Sequence, residues 1–215
     1  GLAAPLYSED DARFPQREGE ADFSTDTALK ELVKMGMVQD KIDKEELEQR
    51  AESVGTLSET TAMQRAKAIV KYLPRLGDKM ESYAEVLRNI RFLPVLKQPE
   101  DWPLKWDGQG KKFVAPSETF SSSLKELVGC QAAVLNEKPL DLCGTDNDTL
   151  GLLGVTQYKS MSLSSTRLTE VSVAQLMSIS EDPNAVSQSN YKAVAHICKE
   201  IYQYLDSFCG YDPRG

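Results

Sequence analysis

Apolar side chains recur every three or four residues through the first 90 positions, and this spacing predicts a run of helices. Asp43 and Ser58 each stand before such a stretch and are good N-cap residues. Asp78, followed three residues later by Glu81, resembles a capping box for another helix. With a first helix from about residue 26, four helices joined by short turns are expected to pack as antiparallel neighbours.

Between residues 91 and 135 the pattern changes to short runs of β-type side chains. The first run contains Pro94, which has no N–H to donate, so a strand there must lie at an edge or end early. Residues 112–115, stopped by Pro116, and residues 131–135 are the other two strand candidates. We expect a small sheet packed on the helical layer.

Three further helices are predicted after the first strand. Ser117 is expected to cap one over residues 118–128, and a second covers 169–178 after a Ser-rich loop at 157–166. The last has an apolar stripe opposite a polar face. The stripe consists of Tyr191, Val194, Ala195, Cys198, Ile201, Tyr202, Leu205 and Cys209. The predicted fold class is therefore α+β and predominantly helical, with a helical layer, a small sheet of short strands and a long amphipathic C-terminal helix.

We expect four segments that form one module. They are an N-terminal arm over residues 1–24, a helical layer over 25–90, short strands and a helix with a tryptophan loop over 91–156, and the Ser-rich loop with the C-terminal helices over 157–215.

The charge balance narrows the classes of partner. The 215 residues include 25 basic and 33 acidic side chains, for a net charge of −8, and no Lys/Arg run forms a basic patch. Such a surface repels phosphate backbones, so nucleic-acid binding is not expected. No apolar run approaches the roughly 20 residues of a membrane helix, so membrane insertion is not expected either.

The four cysteines and the one histidine are the residues to test for nucleophilic or metal chemistry. Cys130, Cys143, Cys198 and Cys209 are too scattered for a disulfide framework, which favours a reducing, cytoplasmic setting. His196 and Cys198 are two positions apart, which on a helix is about 200° of rotation, so they should face opposite sides. We predict structural thiols and no catalytic, cofactor-binding or metal-binding residue. A thiol-dependent hydrolase, which needs a reactive thiolate beside His196, is the least favoured alternative.

Trp102 and Trp106 lie in a proline-punctuated loop, here called the tryptophan loop. Two interpretations stay open. In the first, Trp102, Leu104 and Trp106 form a partner-binding face for a peptide or helix. In the second, the rings lock the loop onto the domain, which is the commoner use of large aromatic side chains.

Several short segments occur in a fixed order along the chain. They are Leu6–Tyr7, Leu32–Met37, Ala51–Ser53, Phe92–Val95, Pro103–Trp106, Phe113–Glu118, Leu127–Gly129 and Leu150–Gly154. Their order and spacing, from about residue 5 to 155, resemble the helical part of the large internal repeats of the sacsin family.

The resemblance implies a piece of a giant multidomain cytoplasmic co-chaperone involved in protein quality control. In that family each repeat begins with an ATPase-like domain of the heat-shock GHKL type. The glycine-rich nucleotide motifs of that domain have no counterpart here, so the chain resembles the part of a repeat that lies beyond the ATPase-like domain. The implied function is a non-catalytic structural and protein-interaction module that positions neighbouring ATPase-like domains. Its expected partners are adjacent domains of the same chain and client or cytoskeletal proteins.

Overall fold

A computed structural model of the chain describes residues 27, 30–31, 34–35, 42–106, 110–142, 146–161, 163–181 and 191–209. The described part is predominantly helical with a few short strands, which confirms the predicted α+β class. The predicted helix from about residue 26 falls largely outside the described residues.

The helices and strands of the described part are labelled in chain order. The helices are α1 (Lys44–Glu52), α2 (Glu59–Tyr72), α3 (Met80–Leu87), α4 (Lys125–Val128), α5 (Asp146–Leu153), α6 (Leu163–Glu181) and α7 (Tyr191–Cys209). The strands are β1 (Leu93–Pro94), β2 (Phe113–Val114), β3 (Thr119–Phe120) and β4 (Ala133–Val134).

The chain divides into two compact units. Unit 1 contains the described residues up to Phe92 together with Lys138–Leu153, and unit 2 contains Leu93–Glu137 and the described residues from Gly154 onward. The break after Phe92 lies close to the predicted end of the helical layer at residue 90. None of the four predicted segments groups residues 138–153 with the N-terminal helices. That the four segments form one module stays a prediction.

In unit 1 the predicted caps of α1 and α2 are confirmed. The Asp43 carboxylate accepts a hydrogen bond from the Glu46 backbone N–H at 2.8 Å. The Ser58 hydroxyl accepts one from the Thr61 backbone N–H at 3.4 Å. Both bonds satisfy N–H groups that have no partner inside the helix.

The predicted capping box before α3 is wrong. Residues Leu73–Lys79 instead form a 3-10 segment interrupted at Gly77, whose φ of 53° lies in the left-handed region. The N-cap of α3 is Lys79, and no side chain caps it. Because the chain turns at Gly77, Asp78 does not occupy the extended N-cap position that a capping box requires.

The core of unit 1 is made of small and branched aliphatic side chains. Its fully buried members include Leu47, Ala51, Val54, Ala62, Ala66, Ile69, Val70, Leu73, Ala84, Leu87, Phe92, Leu140 and Leu153. One charged side chain, Arg65, is 5% exposed and donates to the Ser53 hydroxyl at 2.7 Å. Burial, and then the neighbouring Arg50, lower the pKa of Arg65.

In unit 2 the strands form two small sheets. Strand β1 pairs antiparallel with β2, with Leu93 opposite Val114 and Pro94 opposite Phe113. Strand β3 pairs parallel with β4, with Thr119 beside Ala133. The two-residue length of β1 agrees with the limit that Pro94 sets on it.

Backbone contacts within unit 2 connect these two sheets. Val95 bridges Leu135 in antiparallel fashion, next to a hydrogen bond from the Asn136 N–H to the Pro94 carbonyl at 2.9 Å. On the far side of β3, Phe120 bridges Thr156 in parallel fashion. Short segments distant in sequence therefore share one hydrogen-bonded array.

The predicted helix over residues 118–128 is wrong in its first half. Ser117 belongs to a 3-10 turn over Pro116–Glu118, and the chain then enters β3. A second cap comes next, in which the Ser121 hydroxyl accepts from the Ser123 N–H at 3.3 Å, and α4 begins only at Lys125. Pairing with β4 and Thr156 is a long-range interaction, and it outweighs the local helix signal.

Helix α6 begins at Leu163 and ends at Glu181, so it is longer at both ends than predicted, and its first residues were wrongly assigned to a loop. The short α4 packs against both α6 and α7. Together they enclose the core of unit 2. It consists of Leu104, Trp106, Leu124, Leu127, Val128, Cys130, Val134, Met161, Ile197, Ile201 and Tyr204.

Candidate functional site

The tryptophan loop lies against the core of unit 2. Leu104 is 1% exposed and Trp106 is 5% exposed, whereas Trp102 is half-buried. The two indole rings meet edge to face, with their centroids 5.8 Å apart and an interplanar angle of 70°. This is a favoured geometry for aromatic pairs.

Polar contacts from α6 and from the loop itself hold the backbone on either side of Trp106. The Gln175 side chain of α6 accepts from the Lys105 N–H at 2.7 Å and donates to the Lys105 carbonyl at 2.9 Å. The Trp106 N–H donates to the Gln98 amide oxygen at 3.0 Å. The loop is therefore tied to the helix by a two-point amide contact that mimics a strand pairing.

Gly129, at the end of α4, is the position against which the Trp106 ring packs. A Cβ added there would lie 2.5 Å from Trp106 Cε2 and 2.6 Å from both Trp106 Cζ2 and the Lys125 carbonyl oxygen. Gly129 has an ordinary helical φ of −57°, so its role is to leave space rather than to provide backbone freedom. The ring sits where any larger residue would have its side chain.

Both indole N–H groups are buried, and neither finds an acceptor among the described residues. A buried donor without an acceptor costs about 1–3 kcal/mol. Ring packing must offset this cost, which fits the interpretation in which the rings lock the loop onto the domain. The partner-binding role of Trp102, Leu104 and Trp106 stays a prediction, and of the three only Trp102 is substantially accessible.

His196 forms a polar cluster with carboxylates of α4 and α7. Its Nε2 lies 3.3 Å from Glu126 Oε1, and its Nδ1 lies 3.8 Å from Glu200 Oε1. The Glu126 side chain is 6% exposed and also lies 3.4 Å from Lys125 Nζ. The histidine and the lysine therefore partner a buried carboxylate, as burial of a charge requires.

Glu126 was not singled out from the sequence. The available signal was its position between Leu124 and Leu127, where a carboxylate on a short apolar helix needs a cationic or hydrogen-bonding partner.

The cysteines of the described part are not gathered with the histidine. Cys130 is buried, and the Ser172 hydroxyl is 3.4 Å from its Sγ and 3.1 Å from the Leu127 carbonyl, to which it donates. Both residues lie in α7, so their two-residue separation turns their side chains to different faces; His196 is exposed, and Cys198 is half-buried rather than on the buried face. Cys143 and the side chain of Cys209 lie outside the described residues.

The described ranges offer neither a metal cluster nor a membrane-spanning helix. Within residues 42–106, 110–142 and the later described segments, no three His, Cys, Asp or Glu side chains gather closely enough to hold a metal ion. None of the helices that the structure describes combines the length and the apolarity that crossing a bilayer requires.

Comparison with known proteins gives one informative similarity. No protein-family profile matches the chain, and no solved structure matches it. The chain is 25% identical to human sacsin over 184 residues, which covers 80% of this chain and 4% of sacsin. The chain thus spans only a small part of the length of this curated relative. The similarity is distant, covers most of the chain, and indicates a sacsin-like relationship.

Proposed function

We propose that this chain is a non-catalytic structural and protein-interaction module of a giant, sacsin-like chaperone scaffold. Its place would be in the helical part beyond the ATPase-like domain of an internal repeat. The similarity to sacsin over 80% of the chain supports the scaffold assignment.

The proposal that the module is non-catalytic is supported by the contacts that the tryptophan, cysteine and histidine side chains make in unit 2. Trp106 fills the space left by Gly129, and Cys130 lies buried against Ser172. His196 contacts the buried Glu126 carboxylate across two packed helices. Each of these contacts joins two elements of the fold, which is what a rigid spacer requires.

In this proposal the partners are adjacent domains of the same chain, with client or cytoskeletal proteins as further ones, and the setting is the cytoplasm. The net charge of −8 supports protein partners over nucleic acids. A rigid module serves such a scaffold by fixing the separation and orientation of the ATPase-like domains on either side of it.

The test is thermal unfolding with and without ATP and magnesium. A ligand that binds the folded state raises the melting temperature by mass action, so we expect no shift for this chain. A heat-shock-type ATPase domain measured in parallel provides the positive control. A concentration-dependent shift for this chain would show that it binds nucleotide and would overturn the proposal.

A further inference from the structure

The apolar stripe of α7 is wider than the face that α7 buries. Its buried residues are Ile197, Ile201 and Tyr204, of which Ile197 and Tyr204 were not in the predicted stripe. Tyr191, at 51% exposed, and Tyr202, at 73% exposed, were in that stripe. The buried face is therefore rotated from the predicted one, and Tyr191, Ala195 and Tyr202 of the stripe lie on the surface.

These exposed residues lie along one side of the helix. Tyr191 and Tyr202 are eleven positions apart, which is about 20° of rotation and roughly 16 Å of rise. Ala195 lies between them on the same side and is also exposed. We call Tyr191, Ala195 and Tyr202 the tyrosine strip. A small residue between two large ones leaves a depression that can receive a side chain from another helix.

Positive charge borders this strip on a protein that is acidic overall. Lys192 and Lys199 lie about 80–100° from Tyr191 on the helix, along one edge of the strip. Both are exposed, and no carboxylate among the described residues lies within ion-pair distance of either ammonium group. Asp206, one turn beyond Tyr202, is exposed at the far end. One edge of the strip is thus bordered by two exposed cations, with one carboxylate at its C-terminal end.

A second copy of the chain fits this charge pattern poorly. In a two-fold antiparallel helix pair, each edge of one helix faces the same edge of the other. When the two strips overlap fully, Lys192 of one copy lies near Lys199 of the other, and juxtaposed like charges disfavour association.

We infer that the tyrosine strip docks an amphipathic helix whose apolar face is edged by aspartate or glutamate. The inference rests on the proposed interaction function and specifies its surface and its partner chemistry. The apolar ridge of the partner would lie over Ala195 between the two tyrosine rings, and its carboxylates would pair with Lys192 and Lys199. Tyrosine is among the residues that most often dominate binding energy at interfaces.

The probe is a fluorescently labelled, designed helical peptide with leucines at helical spacing and glutamates along both edges. A matched peptide carries lysine in place of every glutamate. Binding is measured by fluorescence anisotropy against the natural chain, Tyr202→Glu and Gln131→Glu. Both variants add one negative charge at an exposed position of unit 2, but Gln131 lies outside α7 and so outside both the tyrosine strip and its lysine edge.

We expect the natural chain to bind the glutamate peptide in preference to the lysine peptide. Tyr202→Glu should weaken binding about tenfold or more, and Gln131→Glu should stay within about twofold. Far-UV circular dichroism of both variants checks that the helices are retained.

Three results would overturn the inference: equal binding of the two peptides, equal effects of the two variants, or dimerisation of the natural chain that Tyr202→Glu abolishes. These failures are distinguishable from failure of the proposed function, because an ATP-dependent thermal shift would reject that function whatever the peptides do.

Discussion

Unit 1 and unit 2 bury their apolar side chains in different ways. Unit 1 stacks alanine and branched aliphatic residues from regular helices that are close neighbours along the chain. Unit 2 places indole and phenol rings among short strands, 3-10 turns, one four-residue helix and two 19-residue helices. The first core therefore depends on many aliphatic contacts, to which Lys138–Leu153 adds a long-range part, and the second depends on a few large side chains held by long-range contacts.

This difference indicates where each unit is sensitive to substitution. A core of many aliphatic residues distributes its stabilisation over many positions, with about 2–5 kcal/mol expected for truncating any one buried leucine. A core organised around the Trp106 ring and Gly129 concentrates its stabilisation at these two positions, because neighbouring groups have no alternative packing there. The same substitution should therefore change the free energy of unfolding much more at a buried position than at an exposed one, and this contrast should be larger in unit 2 than in unit 1.

The largest effect is expected for Tyr204→Ala in unit 2. Tyr204 is 0% exposed and packs edge to face on Tyr158, with ring centroids 5.5 Å apart. Truncating such a ring should lower the free energy of unfolding by about 3–5 kcal/mol. Urea unfolding followed by tryptophan fluorescence reports on unit 2, since both tryptophans lie there. The matched control is Tyr202→Ala on the same helix, which should stay within about 0.5 kcal/mol. Equal losses would show that the buried face of α7 is assigned incorrectly.

The second effect is expected for Gly129→Ala. The new methyl group would overlap the Trp106 ring and the Lys125 carbonyl, so the variant should lose about 1–3 kcal/mol of unfolding free energy. Gly55→Ala in unit 1 makes the same substitution where nothing lies within 4 Å of the added atom. That control should be neutral or up to about 1 kcal/mol more stable, because alanine restricts the unfolded chain. Chemical denaturation measures both variants, and a stable Gly129→Ala would contradict the close packing of the ring.

The smallest effect concerns the helix starts of unit 1. Asp43→Ala removes the acceptor for the Glu46 N–H and should cost about 1 kcal/mol. Asp78→Ala removes the aspartate of the predicted capping box, which the structure does not contain, and should stay within about 0.5 kcal/mol. Thermal unfolding by far-UV circular dichroism compares the two. A loss for Asp78→Ala as large as that for Asp43→Ala would reinstate the capping box.

The parts of the fold that could be predicted from the sequence are those set by nearby residues. Asp43 and Ser58 cap their helices through the backbone three positions on, so a short sequence window contains all the information. The helix predicted to start at Ser117 was wrong, because the residues that follow pair with β4 and with Thr156, about 15 and 35 positions away. Periodicity cannot reveal a partner strand at that distance.

The candidate sites show the same limit. The opposite orientation of His196 and Cys198 could be worked out from helix geometry alone. The part of the α7 stripe that other elements cover could not be predicted in this way. An apolar pattern identifies a face that can be buried, but it does not identify the neighbour that buries it. The same holds for Glu126, whose contact with His196 joins positions 70 residues apart.

The return of Lys138–Leu153 to unit 1 has a consequence for synthesis of the chain. Leu140 and Leu153 belong to the core of unit 1, and the Leu152 carbonyl accepts a hydrogen bond from Arg88 Nε at 3.1 Å. During translation, α1 to α3 leave the ribosome well before these residues do. Unit 1 must therefore wait as an incomplete helical intermediate while 93–137 are made, and this interval is when chaperones or proteases have their best access to it.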